Sequence, residues 1–299
     1  AIQSVQINVA NMDVTQKGYT GANINAVTKS GTNEIKGSTY FIFRDDSLAG
    51  KRYNNLTGVY TAPPKFQETT KGLTVGGPII QDKLFFFLAY EELKSSRTSP
   101  DFGLIGSTAG GQVAITSSAL ASAQSIAKST YGINIGGLDA PASNLLVKDY
   151  LAKFDWNISD SQRASVRFSR TEQAEPIYPN FGATALATDS NWYSQAKTID
   201  SVVGQWIADW TPNFSTEVKL SSRKYDSVPV NNSNLPQIGL SFSGALPAGA
   251  PAGLSTGGRT LYFGTERSRH TNVLSTDTVD GYLGCLLYTS PSPRDRTRS

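Results

Sequence analysis

The sequence is poor in the residues that build metal and redox sites. Its 299 residues include one cysteine, one histidine and one methionine. Because Cys285 has no second cysteine to pair with, an internal disulfide and a thiolate metal cluster are excluded. Lysine plus arginine number 27 and aspartate plus glutamate 24, so the net charge is only +3. Such a chain has no strongly basic surface, and we expect no nucleic-acid partner.

Long apolar runs are also missing. The longest, residues 84–90, is far shorter than the ~20 residues that a membrane-spanning helix requires. A membrane-spanning strand needs only ~9–11 tilted residues, and its side chains alternate between apolar and polar. The sequence therefore excludes a helical membrane protein and leaves a β-barrel open.

Alternation of side chains with a period of two predicts eight strands. The segment 162–174 is an example, with Ala164, Val166 and Phe168 on one face and Arg163 and Arg167 on the other. The predicted strands occupy residues 35–46, 69–79, 83–96, 146–158, 162–174, 198–210, 216–228 and 271–283. An arginine-bearing face cannot meet lipid, so the apolar face is the one expected to do so.

The connections between these strands alternate strictly in length. They run about 22, 3, 49, 3, 23, 5 and 42 residues. In an up-and-down antiparallel sheet, this order places every long loop on one side and every tight turn on the other. Outer-membrane barrels have this asymmetry, with short periplasmic turns and long extracellular loops. A soluble β-sandwich is the alternative that also fits alternating strands.

Two features favour the barrel over the sandwich. Loops longer than ~12–15 residues are uncommon in compact domains, and this chain has four. Trp156, Trp206 and Trp210 fall near strand ends that border a short turn, where an interfacial aromatic girdle would lie. The expected fold class is therefore all-β, an antiparallel up-and-down transmembrane β-barrel.

One helix is predicted, over residues 117–130 within the longest connection. Ser117 or Ser118 is expected to cap its start, and Gly132 to close its end. Its apolar stripe consists of Leu120, Ala123, Ile126 and Ala127. The helix is either a lid or receptor element, or a packing helix that stiffens a long loop.

Several ordered segments resemble one family. Residues 21–33 read GANINAVTKSGTN and lead into the strand that begins at residue 35. Further matches are residues 76–80 and 82–91, the helix end 126–132, and residues 262–266. Together they are similar to the junction of plug and barrel, and to the first barrel strands, in TonB-dependent outer-membrane receptors of the Oar-like branch.

The resemblance implies a division of the chain. Residues 1–33 would be the C-terminal part of a plug domain, and residues 34–284 the N-terminal strands of the barrel with their long extracellular loops. Barrels of this kind close at ~22 strands around a plug. Seven or eight strands would then be an opening third, and the sheet is expected to be incomplete and open-edged.

The resemblance also implies a function and partners. We expect a receptor and transporter in the outer membrane of a Gram-negative bacterium, energised by the TonB–ExbB–ExbD system, surrounded by outer-membrane lipid, and binding an unidentified substrate at its extracellular loops. The usual Arg-Gly-Pro and Leu-Tyr-Gly segments are replaced around residues 9–19, so binding details of siderophore receptors are not carried over. The alternative is an outer-membrane surface-binding or structural barrel without active transport.

The two ends depart from the pattern of a complete gene product. Residue 1 lies inside a strand-like alternation, so an export signal and a TonB box are expected upstream. Residues 285–299 read CLLYTSPSPRDRTRS and resemble translated sequencing-adapter sequence. We therefore expect this tail to be non-native, the alternative being a natural basic tail.

Seven polar residues are candidates for the lumen-facing wall of the barrel. They are Lys153, Asp155, Arg163, Arg167, Glu217, Lys219 and Arg223. They either contact plug or substrate, or simply hydrate an interior face.

We expect no catalytic residue, no cofactor and no metal, and hence no enzyme. A hydrolase would need His270, the sole histidine, within reach of a nucleophile.

Overall fold

The structure is a computed structural model that describes residues 1–8, 23–54, 59–61, 65–97, 100–138, 143–248, 250–254, 256–268 and 272–287. Strands dominate it. They are β1 Ile2–Asn8, β2 Asn23–Thr28, β3 Lys36–Asp45, β4 Arg52–Asn54, β5 Val59–Thr61, β6 Gln67–Ile80, β7 Leu84–Arg97, β8 Phe102–Leu104, β9 Gly111–Val113, β10 Ser143–Ser159, β11 Gln162–Ile177, β12 Ala185–Ala187, β13 Tyr193–Thr211, β14 Phe214–Asn231, β15 Ile238–Phe242, β16 Arg259–Phe263 and β17 Leu274–Leu287.

Eight of these strands form one antiparallel sheet, which we call the wall. Its order is β17-β14-β13-β11-β10-β7-β6-β3, so each strand pairs with the next long strand along the chain. β3 and β17 stand at the two ends of this order, and the sheet is open in the described part of the chain. All eight predicted strands are confirmed, including the last one, which begins at Leu274 and continues to Leu287.

The outer face of the wall is apolar at the level of the short turns. Phe154 pairs with Phe86 on one side and with Val166 on the other, and Trp156 pairs with Ala164 in the next row. Phe154 is 43% exposed and Val166 is 50% exposed. A β-sandwich would bury this face against a second sheet, so its exposure excludes the sandwich alternative.

The same face becomes charged towards the long connections. One row across four strands places Lys71, Glu92, Lys148 and Glu172 side by side. The next row places Arg170, Asp200, Lys224 and Asp277 side by side. Opposite charges on directly paired residues attract, and these two charge rows end the apolar band.

The connections between β7 and β10, between β11 and β13, and between β14 and β17 fold together into a second layer, which we call the cap. Its core contains Val113, Leu186 and Leu261, each 0% exposed, together with Ile115. β12 pairs with β16 and β16 with β15 to form a three-stranded sheet within this layer. The cap is thus packed like a small water-soluble protein, although it consists of loops between wall strands.

Helix α1, Ser117–Tyr131, belongs to the cap and confirms the predicted helix. Two details of the prediction are wrong. Thr116, and not Ser117 or Ser118, is the N-cap, because the Thr116 hydroxyl accepts a hydrogen bond from the Ala119 N–H at 3.1 Å. Ile126 is 57% exposed, since the stripe that packs on the cap core comprises Leu120, Ala123 and Ala127.

Gly132 ends α1 in the left-handed conformation at φ 68°, as predicted.

Among the described residues, no helix is long and apolar enough to cross a membrane.

Candidate functional site

Residues 29–35, which we call the junction segment, connect β2 with the first strand of the wall. Gly31 is the point of closest approach, because a Cβ atom there would lie 2.4 Å from the Phe86 carbonyl oxygen and 2.8 Å from that of Gly77. A Cβ atom on Gly76 would lie 3.4 Å from the Gly31 Cα atom. Glycine at both positions therefore lets two backbones touch.

The tight turn between β6 and β7 is anchored to the junction segment. The Asn33 Nδ2 donates to Asp82 Oδ1 at 2.5 Å, and the Asp82 N–H donates to Asn33 Oδ1 at 2.8 Å. Asp82 has a φ of 63°, a left-handed conformation that aspartate adopts more readily than most residues. From the other side, the Asn157 Nδ2 donates to the Asp82 carbonyl at 3.0 Å.

One of the predicted wall residues, Lys153, contacts the junction segment, and Asp155 lies beside it. The Lys153 Nζ donates to the Ser30 hydroxyl at 2.7 Å and lies 3.1 Å from Asp155 Oδ1. The side chains of Lys153 and Asp155 are only 15% and 23% exposed. Asp155 Oδ2 is buried and has no hydrogen-bond partner among the described residues. Water and dissolved ions therefore screen this pair of charges less than they screen an ordinary surface pair.

An exposed ion pair joins the junction segment to the first residue of β3. The Lys36 Nζ lies 2.9 Å from Glu34 Oε2. The hydrogen bond and the positive charge of Lys36 lower the pKa of the Glu34 carboxyl below its usual value. Glu34 is therefore ionised at neutral pH.

The other five predicted wall residues share the face of Lys153. Arg167 pairs with Lys153 across β10 and β11, and Arg163 lies four residues before Arg167 on the same strand. Glu217, Lys219 and Arg223 occupy the same face of β14, as the pairing through β13 shows. Two of the five have partners within the wall: Arg163 Nη2 is 3.9 Å from Asp209 Oδ2, and Glu217 accepts a hydrogen bond from the Gln205 amide at 2.6 Å. That the seven residues contact plug or substrate stays a prediction.

A second candidate site is a cavity of about 940 Å³ in the cap, which we call the cap cavity. It lies between the chain after β14 and the chain after β16. Side-chain amides are prominent in its lining, namely Asn180, Asn231, Asn234 and Gln237. Tyr262 and Gly239 contribute from the paired strands β16 and β15, where they stand opposite each other.

Hydrogen bonds hold the walls of the cap cavity in place. The Thr265 N–H donates to the Leu235 carbonyl at 2.8 Å, and the Asn191 Nδ2 donates to the Gly264 carbonyl at 2.7 Å. Gly264 has a φ of 78°, and a Cβ atom there would lie 2.1 Å from the Pro236 carbonyl oxygen. Only glycine fits this turn.

Sequence reasoning missed both the anchored turn and the cap cavity. The motif containing Asn33 and the motif containing Asp82 were recognised separately, but they lie 49 residues apart, and no local pattern indicates their contact. The polar run at residues 231–234 is visible in the sequence, whereas its enclosure depends on residues beyond 260.

Some predictions concern residues outside the described part of the chain. His270, on which a hydrolase would depend, is one of them, as are residues 9–22 of the predicted plug segment and residues 288–299 of the predicted non-native tail. Three residues of that tail, Cys285–Leu287, pair with β14 at the end of β17.

Comparisons with known proteins agree with this architecture. Residues 27–112 match the family described as an outer membrane beta barrel domain. The TonB-dependent transporter Oar of Myxococcus xanthus is 40% identical over 74 residues, which are 24% of this chain and 7% of that protein. The outer membrane transporter YddB of Escherichia coli superimposes with a TM-score of 0.56 at 12% identity, covering 94% of this chain and 31% of that one.

The chain thus spans about a third of the solved transporter, and its matched segment spans less than a tenth of the Myxococcus relative. The predicted fold, an antiparallel up-and-down transmembrane β-barrel, is confirmed. So is the predicted location, the outer membrane of a Gram-negative bacterium. The chain is an outer-membrane barrel that resembles TonB-dependent transporters. Barrels of this kind turn an apolar band of their outer face to the lipid.

Proposed function

We propose that this chain is part of a TonB-dependent receptor of the Oar-like branch, which takes up a substrate through a plugged barrel with energy from the TonB–ExbB–ExbD system. The observation that carries the proposal is the junction segment, which lies against the wall and contacts Lys153 on the face opposite the lipid. A plug attached to a barrel needs a connection of this kind.

The contacts of the junction segment suggest how a plug could move while its attachment persists. Asn33 and Asp82 exchange two hydrogen bonds at the wall end of the segment. The Ser30 hydroxyl, three residues earlier, accepts a hydrogen bond from the Lys153 ammonium, and this is the one hydrogen bond of its side chain within the described part of the chain. A pull on the residues before Ser30 would therefore break one contact before it strained the anchored turn. Residues 1–33, including the hairpin of β1 and β2, would be the end of the plug.

The proposed role is non-enzymatic. Substrate recognition is assigned to the extracellular side and energy coupling to the periplasmic side, and neither needs bond chemistry within this chain. Among the described residues, no group of three or more His, Cys, Asp or Glu side chains could hold a metal ion.

The test is binding of TonB to the protein encoded by the complete gene. We expect the purified periplasmic domain of TonB to bind the detergent-solubilised protein, and deletion of its N-terminal TonB box to abolish that binding. A complete protein that does not bind TonB would contradict active transport. It would instead favour a surface-binding or structural barrel.

A further inference from the structure

We propose that the cap cavity binds an uncharged oligosaccharide. The inference rests on the proposed function, since it names the class of substrate that the receptor would recognise. It is carried by the charge, the hydrogen-bonding groups and the shape of the cavity lining.

The charge of the lining excludes strongly ionic ligands. Among its thirteen residues are one acid, Glu266, and one base, Arg267, so their formal charges cancel. Glu266 Oε2 already accepts a hydrogen bond from the Ser268 N–H at 3.0 Å. A phosphorylated ligand or a multiply charged iron chelate would need several cations, whereas a neutral ligand needs none.

The polar groups of the lining match hydroxyl groups. A side-chain amide offers two N–H donors and a carbonyl acceptor, and a sugar hydroxyl both donates and accepts. The lining has four such amides and adds the hydroxyl-bearing side chains of Ser233, Thr265 and Ser268. Two of the amides already bond within the protein, since Asn180 Nδ2 donates to Asn191 Oδ1 and Gln237 Oε1 accepts from the Arg267 N–H, each at 2.9 Å, so these two offer a ligand their remaining groups. Asn234 is exposed, so its amide is accessible to a ligand.

An aromatic ring provides a flat apolar surface within this polar lining. The Tyr262 ring lies over Gly239, where a Cβ atom would be 3.1 Å from Tyr262 Cε1. Because residue 239 has no side chain, the ring can lie flat against strand β15. The C–H face of a pyranose ring packs well on such a surface, while its equatorial hydroxyls point sideways towards the amides.

The size and rigidity of the cavity suit an oligosaccharide. Its volume of about 940 Å³ lies near the upper end of the ~300–1,000 Å³ range of small-molecule sites. The hydrogen bonds around Thr265 and Gly264 form the walls without a ligand. A preformed site loses little conformational entropy on binding, which favours weakly interacting polar ligands.

A peptide is the main competing ligand, because β15 is an edge strand of the cap sheet. Peptides that join a sheet are recognised by the main chain of several successive residues. Gly239 is the single residue of β15 that lines the cavity, and most of the lining consists of loop side chains. The geometry therefore favours the saccharide.

The test uses the purified full-length protein in detergent and isothermal titration calorimetry. The probes are maltohexaose, cellohexaose, laminarihexaose and chitohexaose, with hexaalanine as the peptide probe. We expect one or more of the saccharides to bind. Asn234→Ala and Tyr262→Leu should each weaken that binding about tenfold, because each removes one principal contact.

Matched variants separate recognition from folding. Tyr262→Phe keeps the flat ring and should bind within about twofold of the unaltered protein. Asn213→Ala changes an exposed residue in the turn between β13 and β14, at the opposite end of the wall, and should leave binding unchanged. Binding to none of the saccharides, binding that survives both Asn234→Ala and Tyr262→Leu, or binding of hexaalanine alone would each overturn the proposal.

These results are independent of the TonB experiment. Saccharide binding by a protein that fails to bind TonB would support the cap cavity and contradict transport. TonB binding without saccharide binding would support transport and contradict the proposal for the cap cavity.

Discussion

The wall and the cap bury apolar side chains in different ways. In the wall, Phe154 and Val166 are 43% and 50% exposed, because lipid and not protein covers them. In the cap, Leu186 and Leu261 are 0% exposed, because other loops cover them. The wall therefore depends on its membrane for apolar burial, whereas the cap has a core of its own.

The largest loss of stability is expected when a buried side chain is removed from the cap. Leu261→Ala deletes a fully buried side chain from the cap core, and comparable changes cost about 2–5 kcal/mol. We expect faster amide hydrogen exchange in β16 and an intact wall. Leu220→Ala, at a wall residue that is 60% exposed, is the control and should leave exchange in the cap unchanged. Equal effects of the two variants would show that the cap has no core separate from the wall.

The second largest effect is expected when a charged side chain is placed on the lipid-facing side of the wall, and the same charge on the opposite side is the comparison. Val166→Arg puts a guanidinium group in the lipid-facing band, which costs about 2–4 kcal/mol at the bilayer midplane. Ser165→Arg puts the same group on the opposite face, where it lies directly across from Asp155. Urea unfolding in lipid vesicles should show a marked loss of stability for the first variant and little change for the second. A larger loss for Ser165→Arg would reverse the assignment of the two faces.

The smallest loss of stability is expected at the anchored turn, because neither lipid nor a buried core stabilises it. Asn33→Ala removes the two hydrogen bonds with Asp82, each worth about 0.5–1.5 kcal/mol. The exchange rate of the Asp82 amide should rise about 5- to 150-fold, which corresponds to a combined loss of about 1–3 kcal/mol. Asn213→Ala, in another short turn, should leave that rate unchanged. An unaltered rate in Asn33→Ala would mean that the junction segment does not hold the turn.

The sequence predicted the wall well because its signal is local. Each wall strand alternates between lipid and the opposite face, so a window of ten residues, such as that around Val166, is enough to recognise it. The contacts of the cap are not local. Arg259, which is 3% exposed, donates to the Ala114 carbonyl at 3.3 Å across 145 residues. No periodicity in the sequence indicates such a pair.

The candidate sites were only partly predictable for the same reason. Period-two alternation places Lys153 and Arg167 on one face, as the register shows. The contact of Lys153 with Ser30, 123 residues away, depends on how the junction segment crosses the wall. The register places the seven residues on one face of the sheet, and that this face lines the lumen stays a prediction. The contacts of Lys153 with Ser30 and Asp155 required the three-dimensional structure.

The length of the wall strands has a consequence for how this protein meets its surroundings. β10, β11, β13 and β14 have 17, 16, 19 and 18 residues, whereas ~9–11 residues cross a bilayer. The extra length begins near the two charge rows, and we expect it to hold the cap above the lipid headgroups. With the cap on the extracellular side, as proposed, a molecule that diffuses along the cell surface would reach the cap cavity without entering the bilayer. Substitutions in the cap can then change what is recognised without altering how the chain is anchored, so specificity and membrane insertion can evolve separately.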